Sequence, residues 1–141
     1  MALGLLARRE HSRRELTDKL RARDFGDEAI REALDGLEEQ GWLDEDRFIE
    51  SFVRSRVQRA YGPMKIKAEL ARRGIDRVRA ERALEAMQEE WPAIAEQALS
   101  HRFGTTIPAT PDDHRRFRSF LLRRGFVAEQ VARLVRRPPA P

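Results

Sequence analysis

The stretch Gly62-Pro63-Met64-Lys65-Ile66-Lys67-Ala68-Glu69-Leu70-Ala71-Arg72-Arg73-Gly74-Ile75 carries its own punctuation. Proline's fixed φ suits a first helical turn, where its missing N–H would have had no partner anyway. Ile66 and Leu70 fall on one helical face, and Gly74 offers the left-handed backbone that ends a helix. The same grammar recurs at nearly constant spacing. Ser12, Gly62 and Asp113 hold the start position, at offsets of 50 and 51. Leu16, Ile66 and Phe117 hold the first apolar position, and Leu20, Leu70 and Leu121 the second. Arg23, Arg73 and Arg124 hold the last turn, Asp24, Gly74 and Gly125 the stop, and Phe25, Ile75 and Phe126 the residue after it. Ile30, Ala80 and Val131 extend the match into the next helix.

A three-helix unit of roughly 50 residues buries little alone, so tandem copies must lend faces to one another. The spacing therefore predicts an all-α chain of three tandem three-helix, helix-turn-helix-like repeats in an elongated, curved body. The repeats are expected over 1–45, 46–90 and 91–137, with 138–141 (Pro-Pro-Ala-Pro) a disordered tail.

Local signals fill in the helices. Residues 2–9 read as a short first helix. Ser12 and Glu15 form a capping box for a second helix running to about Arg23. Asp27 is expected to cap a third, which Gly41 ends and Trp42-Leu43 plugs. A longer fourth helix spans Arg47 to about Ala60, with Phe48, Ile49, Phe52 and Val53 as its apolar stripe. The fifth runs from Pro63 to Arg73, and Asp76 caps the sixth. Trp91-Pro92 opens the seventh, which ends before a loop over 104–111. Asp112-Asp113 are expected to cap the eighth, which Gly125 stops, and a ninth carries Val127, Val131, Leu134 and Val135.

With 37% charged residues against 40% hydrophobic, the helices must be well solvated. Alternating β patterns are absent. No cysteine is present, which excludes a disulfide framework and a thiolate zinc site. Apolar runs such as Phe120-Leu121-Leu122 are too short to span a membrane. The start, Met1 to Leu6 followed by Arg8-Arg9-Glu10, is too short and too polar for a signal peptide. A cytoplasmic protein is the expectation. Charge drifts along the chain, with 8 Lys+Arg against 12 Asp+Glu in residues 1–45, 11 against 8 in 46–90, and 9 against 4 in 91–141. An acidic front and basic back could face two different partners, or could reflect drift among solvated arginines.

No catalytic constellation stands out. His11, His101 and His114 lack a second ligand at helical spacing, Ser12 and Ser119 lack a nucleophile elbow, and no phosphate-binding P-loop occurs. A non-enzymatic binder without cofactor or metal is expected. Its candidate contacts are basic: Arg54, Arg56, Arg59, Lys65, Lys67, Arg72 and Arg73 around the turn that holds Tyr61, and Arg115, Arg116, Arg123 and Arg124 in the third repeat. Guanidinium forks suit phosphates and carboxylates alike. The arginines ending each middle helix could equally serve its carbonyls and dipole, and Tyr61 either stacks on a base or packs the turn.

Gly41-Trp42-Leu43-Asp44-Glu45-Asp46-Arg47-Phe48, then Phe52-Val53-Arg54-Ser55-Arg56 and Tyr61-Gly62-Pro63 through Arg73-Gly74-Ile75, resemble the RecX family. Leu6-Ala7-Arg8-Arg9-Glu10-His11-Ser12 through Leu16 is similar to its first repeat, and the third repeat is a looser match. The chain starts almost inside the first repeat, so a leader is expected to be missing or very short. The resemblance implies a curved all-α regulator of the RecA recombinase, acting in homologous recombination, DNA repair and the SOS response. Such a protein lies in the groove of the RecA–DNA filament, limits its extension, and inhibits ATPase, strand exchange and co-protease activities. It implies a monomer that touches DNA weakly and without sequence preference. The alternative from the residues alone is a stand-alone helical DNA-binding protein, since each glycine-turned helix pair resembles helix-turn-helix. No copy presents Asn or Gln beside Arg for reading bases.

Overall fold

The computed structural model describes residues 1–135. They form nine helices and no strand: α1 (Ala2–Arg8), α2 (Arg13–Arg21), α3 (Asp27–Glu39), α4 (Glu45–Gln58), α5 (Pro63–Arg72), α6 (Arg77–Glu85), α7 (Trp91–Phe103), α8 (Pro111–Arg123) and α9 (Ala128–Leu134). The tail expected over 138–141 lies outside the described residues. The chain exposes 9402 Å², against about 7,500 Å² for a compact monomer of this length.

The repeat is visible in backbone detail. The first apolar positions, Leu16, Ile66 and Phe117, are all buried, as are Leu20, Leu70 and Leu121. Each middle helix ends on a left-handed residue: Asp24 at φ 66°, Gly74 at 82° and Gly125 at 98°. In each copy the next N–H reaches back five residues, from Phe25 to Leu20 O (3.2 Å), Ile75 to Leu70 O (3.1 Å) and Phe126 to Leu121 O (3.1 Å). This is the Schellman pattern that satisfies otherwise orphaned carbonyls.

Four local expectations need correction. Helix α3 is capped by Gly26, and Asp27 is its first residue, where its charge meets the dipole. Helix α8 starts a turn early: Thr110 is the cap and Pro111 the first helical residue, while Asp113 closes a capping box back to Thr110. The plug after α3 is Leu43, 2% exposed; Trp42 is 51% exposed. Phe25 is 49% exposed where its counterparts Ile75 and Phe126 are buried.

The residues that dock on the preceding triplet are those of the stop itself, Arg73-Gly74 and Arg124-Gly125. The docking is explicit. Ser12 Oγ donates to the carbonyl of Arg73 (2.6 Å). At the next joint the Gly62 N–H donates to the carbonyl of Arg124 (2.7 Å), and the Met64 N–H to that of Gly125 (2.8 Å). Each middle helix thus begins against the end of the following triplet's middle helix. A Cβ on Gly74 would lie 2.6 Å from Arg14 Cβ, and one on Gly125 would lie 2.5 Å from Lys65 Cβ. Both glycines are needed twice over, for the turn and for the approach.

The apolar core divides unequally. Leu16, Leu20, Ile30, Leu34 and Leu43 form a small core with Ala2 inside the first triplet. The second and third triplets share one continuous core, from Phe48 and Phe52 through Leu70 and Trp91 to Phe117, Phe126 and Val135.

Candidate functional site

The second triplet's basic residues separate into free and engaged groups. Arg54 on α4 is 65% exposed and meets Glu50 one turn earlier (3.1 Å). An exposed pair of this kind contributes about 0.3–0.5 kcal/mol, so Arg54 is easily released to a partner. Arg59 and Arg72 are exposed, and no carboxylate lies within ion-pair distance of either among the described residues.

The others face inward. Arg56 is 19% exposed, its Nε 2.6 Å from Glu69 Oε2, and its guanidinium lies 4.4 Å from the centre of the Phe52 ring. Arg73 lies 4.6 Å from the same ring and reaches Glu15 of the first triplet at 3.9 Å. Lys65 sits 4.2 Å over Tyr61. Lys67 Nζ is 2.7 Å from Glu81 Oε1, which also takes Arg77 Nε at 2.7 Å. Those two cations, Arg77 first, pull the Glu81 pKa down to about 2. Of the candidate contacts Lys65, Lys67, Arg72 and Arg73, only Arg72 is exposed; the other three are half-buried. Helix α5 packs against α4, α6 and the third triplet, and the side it leaves to solvent carries Met64, Ala68, Ala71 and Arg72.

Tyr61 packs partly against the core, with Lys65 and Arg124 over its ring, the latter at 4.1 Å. Arg124 also donates to the carbonyls of Ala60 (3.4 Å) and Arg59, tying the third triplet to the end of α4. In the rest of the third-triplet set, Arg115 pairs locally with Asp112. Arg116 lies 3.9 Å from Asp113, and Arg123 is exposed. These three converge with Arg102 and Ser119 on a pocket of about 260 Å³ beside Phe103. Sequence reasoning missed Arg102, which ends α7 with no other arginine or lysine near it in sequence.

Ser12 was missed as a joint residue, and His11 as a buried one. The capping box was legible, but nothing local predicts that Ser12 Oγ also reaches Arg73, which is distant in sequence. His11 is 2% exposed; its Nδ1 is 3.0 Å from Arg9 O and its Nε2 3.0 Å from Lys19 Nζ. An ammonium can only donate, so Nε2 must accept and Nδ1 must carry the proton. Burial holds the imidazole pKa below its ordinary value, and the charges of Arg9 and Lys19 add to this; the Arg9 carbonyl and Glu15 oppose it. Among the described residues, no three His, Asp or Glu side chains gather where a metal ion could sit, and no helix is long and apolar enough to cross a membrane.

Family models agree with the triplet geometry. Residues 1–37 match the RecX first three-helix domain, and residues 44–84 match the RecX second three-helix domain. Regulatory protein RecX of Stenotrophomonas maltophilia is 42% identical over 138 residues, spanning 98% of this chain and 85% of that one. Its counterpart in Halorhodospira halophila is 46% identical over 130 residues, spanning 92% and 81%. The crystal structure of RecX from Lactobacillus salivarius superposes with a TM-score of 0.78 at 26% identity, covering 95% of this chain and 89% of that one. The repeated stops, the docked glycines and the likeness along nearly the whole chain agree, and the chain belongs to the RecX family of regulatory proteins.

Proposed function

We propose that the chain is a non-enzymatic modulator of the RecA recombinase that binds the RecA–DNA filament. It limits filament extension and inhibits ATPase, strand exchange and co-protease activity, working in the cytoplasm as a monomer. The likeness of nearly its whole length to proteins named regulatory protein RecX carries the proposal. Three helical units, with junctions near residues 44–46 and 90–91, present successive contacts to a partner that is itself periodic. Arg54, Arg59 and Arg72 are the contacts proposed for filament carboxylates or DNA phosphates, because their guanidinium groups are free to bond. Arg115, Arg116 and Arg123 form a second set. Arg56, Lys65, Lys67, Arg73 and Arg124 act one step back, holding the helices that present the first two sets.

The stand-alone DNA-binding alternative needs a helix whose side chains are free to read bases. On α6, the third helix of the second triplet, Arg77 is bonded to Glu81, and Arg79 to Glu45 and Asp46. On α9, Gln130 is bonded to the Val127 N–H and Arg133 to Glu129. Arg82 on α6 is exposed and without an ion-pair partner among the described residues, but α6 has no Asn or Gln to stand beside it, and on α9 the one amide, Gln130, is used as a cap. The deciding experiment is RecA's single-stranded-DNA-dependent ATPase with stoichiometric protein added. Inhibition that weakens in an Arg54→Ala, Arg59→Ala, Arg72→Ala variant of unchanged melting temperature supports the proposal. An unchanged ATPase rate with the native chain, or tight sequence-specific DNA binding without RecA, removes it.

A further inference from the structure

The start of each middle helix is a docking face. On α2, Ser12 and Arg14 receive Arg73 and Gly74; on α5, Gly62, Met64 and Lys65 receive Arg124 and Gly125. By the repeat register, the matching positions on α8 are Asp113, Arg115 and Arg116. No described residue covers them. Where the first two faces carry the next triplet, the third carries a pocket lined by Arg102, Arg115, Arg116, Ser119 and Arg123.

This pocket differs in chemistry as well as in being open. Residues 115, 116, 119 and 123 fall on one stripe of α8, which turns three guanidinium groups and a hydroxyl to the same side. Arg102 enters from the end of α7. Arg102 and Arg116 lie over the Phe103 ring at 5.1 and 5.8 Å, and that ring is stacked on Phe117 at 4.0 Å, so their positions are set by the core. Asp112 is the one acid in the lining. Its pair with Arg115 is exposed on both sides, so it offsets little of the charge. The matching positions elsewhere, Arg14, Glu15, Asp18 and Ala22 on α2 and Met64, Lys65, Ala68 and Arg72 on α5, do not concentrate charge of one sign. Four cations converging on one small space repel each other unless an anion sits among them.

Size and shape narrow the occupant. At about 260 Å³, the pocket is below the roughly 300–1,000 Å³ of sites that enclose whole small molecules, and it suits a charged group instead. A second copy, seated head to tail, would have to insert its Arg23-Asp24-Phe25 turn as the other two turns insert. The docked turns have no Cβ, because one would lie 2.6 Å from Arg14 Cβ or 2.5 Å from Lys65 Cβ. Asp24 has a Cβ in the same left-handed conformation. The first triplet's turn is thus barred from such a face. A single carboxylate would leave most of the charge uncompensated, whereas phosphate oxygens match guanidinium forks and carry more charge.

We propose that the pocket formed by Arg102, Arg115, Arg116, Ser119 and Arg123 is a phosphate-group binding site on the open docking face of the third triplet. The group belongs either to the backbone of a single-stranded nucleic acid or to a free polyphosphate. The site deepens the second set of contacts proposed above and rests on that reading; because its test needs no recombinase, its failure is distinguishable from failure of the RecA reading.

The test uses the full chain alone, with a fluorescent oligothymidylate in anisotropy titrations over a salt series, and with pyrophosphate as competitor and as a calorimetric ligand. Arg102→Gln with Arg123→Gln removes two exposed guanidinium groups. Arg133→Gln, on α9 and outside the pocket, is the matched loss of charge. Circular dichroism checks that both variants keep their helices. The double variant should weaken binding about tenfold or more and flatten the dependence of log Kd on log salt by about 0.7 for each lost phosphate contact. Arg133→Gln should stay within about twofold, as an uninvolved surface charge does. Pyrophosphate that binds the native chain but not the double variant, and displaces the oligonucleotide, identifies a site for free polyphosphate as well. Pocket-dependent oligonucleotide binding that pyrophosphate leaves untouched identifies the nucleic-acid backbone. Equal behaviour of the double variant and Arg133→Gln with both probes overturns the proposal. So does sedimentation showing self-association that the double variant alone abolishes, because the face would then hold a second copy.

Discussion

Replacing Gly62 with Ala separates the packing role of this glycine from every conformational one. Its φ of −89° and ψ of 170° are open to any residue, so alanine meets no backbone strain. Considered locally, the less flexible unfolded chain gains about 0.4–1 kcal/mol and the poorer N-cap loses a similar amount, so the change would be close to neutral. The joint makes it costly. The new Cβ would lie 2.4 Å from both the Gly125 carbonyl carbon and the Phe126 nitrogen, which are backbone atoms that no rotamer change can move aside. Restoring ordinary contact needs the third triplet to retreat by about 1 Å. That takes the Gly62 N–H to Arg124 O bond (2.7 Å) and the Met64 N–H to Gly125 O bond (2.8 Å) beyond hydrogen-bonding range. Two buried backbone bonds left unsatisfied cost about 1–3 kcal/mol each, for a net destabilisation of about 2–5 kcal/mol. The assay is urea denaturation followed by far-UV circular dichroism. Gly36→Ala is the internal control: it lies within α3 with no heavy atom within 4 Å of its added Cβ, and it should stabilise by about 0.5–1 kcal/mol. Gly62→Ser sharpens the contrast, because serine is the better N-cap and should still destabilise. A Gly62→Ala protein as stable as the native chain, or stabilised as Gly36→Ala is, would refute the docked joint.

Leu70→Ala and Leu121→Ala remove fully buried side chains from the shared core and should each cost about 2–5 kcal/mol by urea denaturation. Leu20→Ala should instead release mainly the first triplet, read as lost hydrogen-exchange protection confined to α1–α3. Arg72→Ala should leave the melting temperature unchanged and weaken inhibition of RecA. Arg73→Ala should lower the melting temperature, because that side chain lies on Phe52 and reaches Glu15; equal melting of the two variants would contradict the assignment. For His11 the folded pKa lies below the ordinary 6.5, so the unfolded chain binds the extra proton first. Its contribution is complete above pH 6.5 and falls as pH drops below it. Denaturation midpoints from pH 8 to 5 should decline more steeply for the native chain than for His11→Gln, and parallel curves would count against the neutral buried imidazole.

How much of this was legible depended on whether its cause was local. The helix starts at Ser12 and Gly62 and the stops at Gly74 and Gly125 follow from side chains acting within a turn, and the period exposed them. Even Asp24, a non-glycine stop at φ 66°, was placed by register. The start of α8 was misplaced because Thr110-Pro111 reads as loop until the Asp113 carboxylate is seen to bond the N–H groups of Ala109 and Thr110. Which cations are free was not legible. Arg56 is matched by Glu69, Arg73 by Glu15 and Arg124 by the carbonyls of Ala60 and Arg59, all beyond their own helices. The sequence pattern shows that basic residues cluster there, but only the packing shows that Arg72 is exposed while Lys65, Lys67 and Arg73 are half-buried.

The two joints use one grammar, and the difference at their first position bears on how the core is divided. At the second joint Gly62 has no side chain, so the backbone of Arg124 and Gly125 comes directly against it and Phe126 enters a core that both triplets share. At the first joint the same position is Ser12. Its Cβ and Oγ stand between the two backbones, the hydroxyl takes over the bond that the Gly62 N–H makes, and the cores on either side stay separate. What then holds the first triplet is largely polar: Arg47 to Glu10, Arg73 to Glu15, and the Arg13 N–H to Glu45. Partly exposed ion pairs of this kind contribute about 0–1 kcal/mol each and weaken with salt, whereas a merged apolar core does not. The first triplet is therefore the one that can shift against the rest, and the second and third move together. Gly62→Ser tests this as well, since it should give the second joint the looser character of the first.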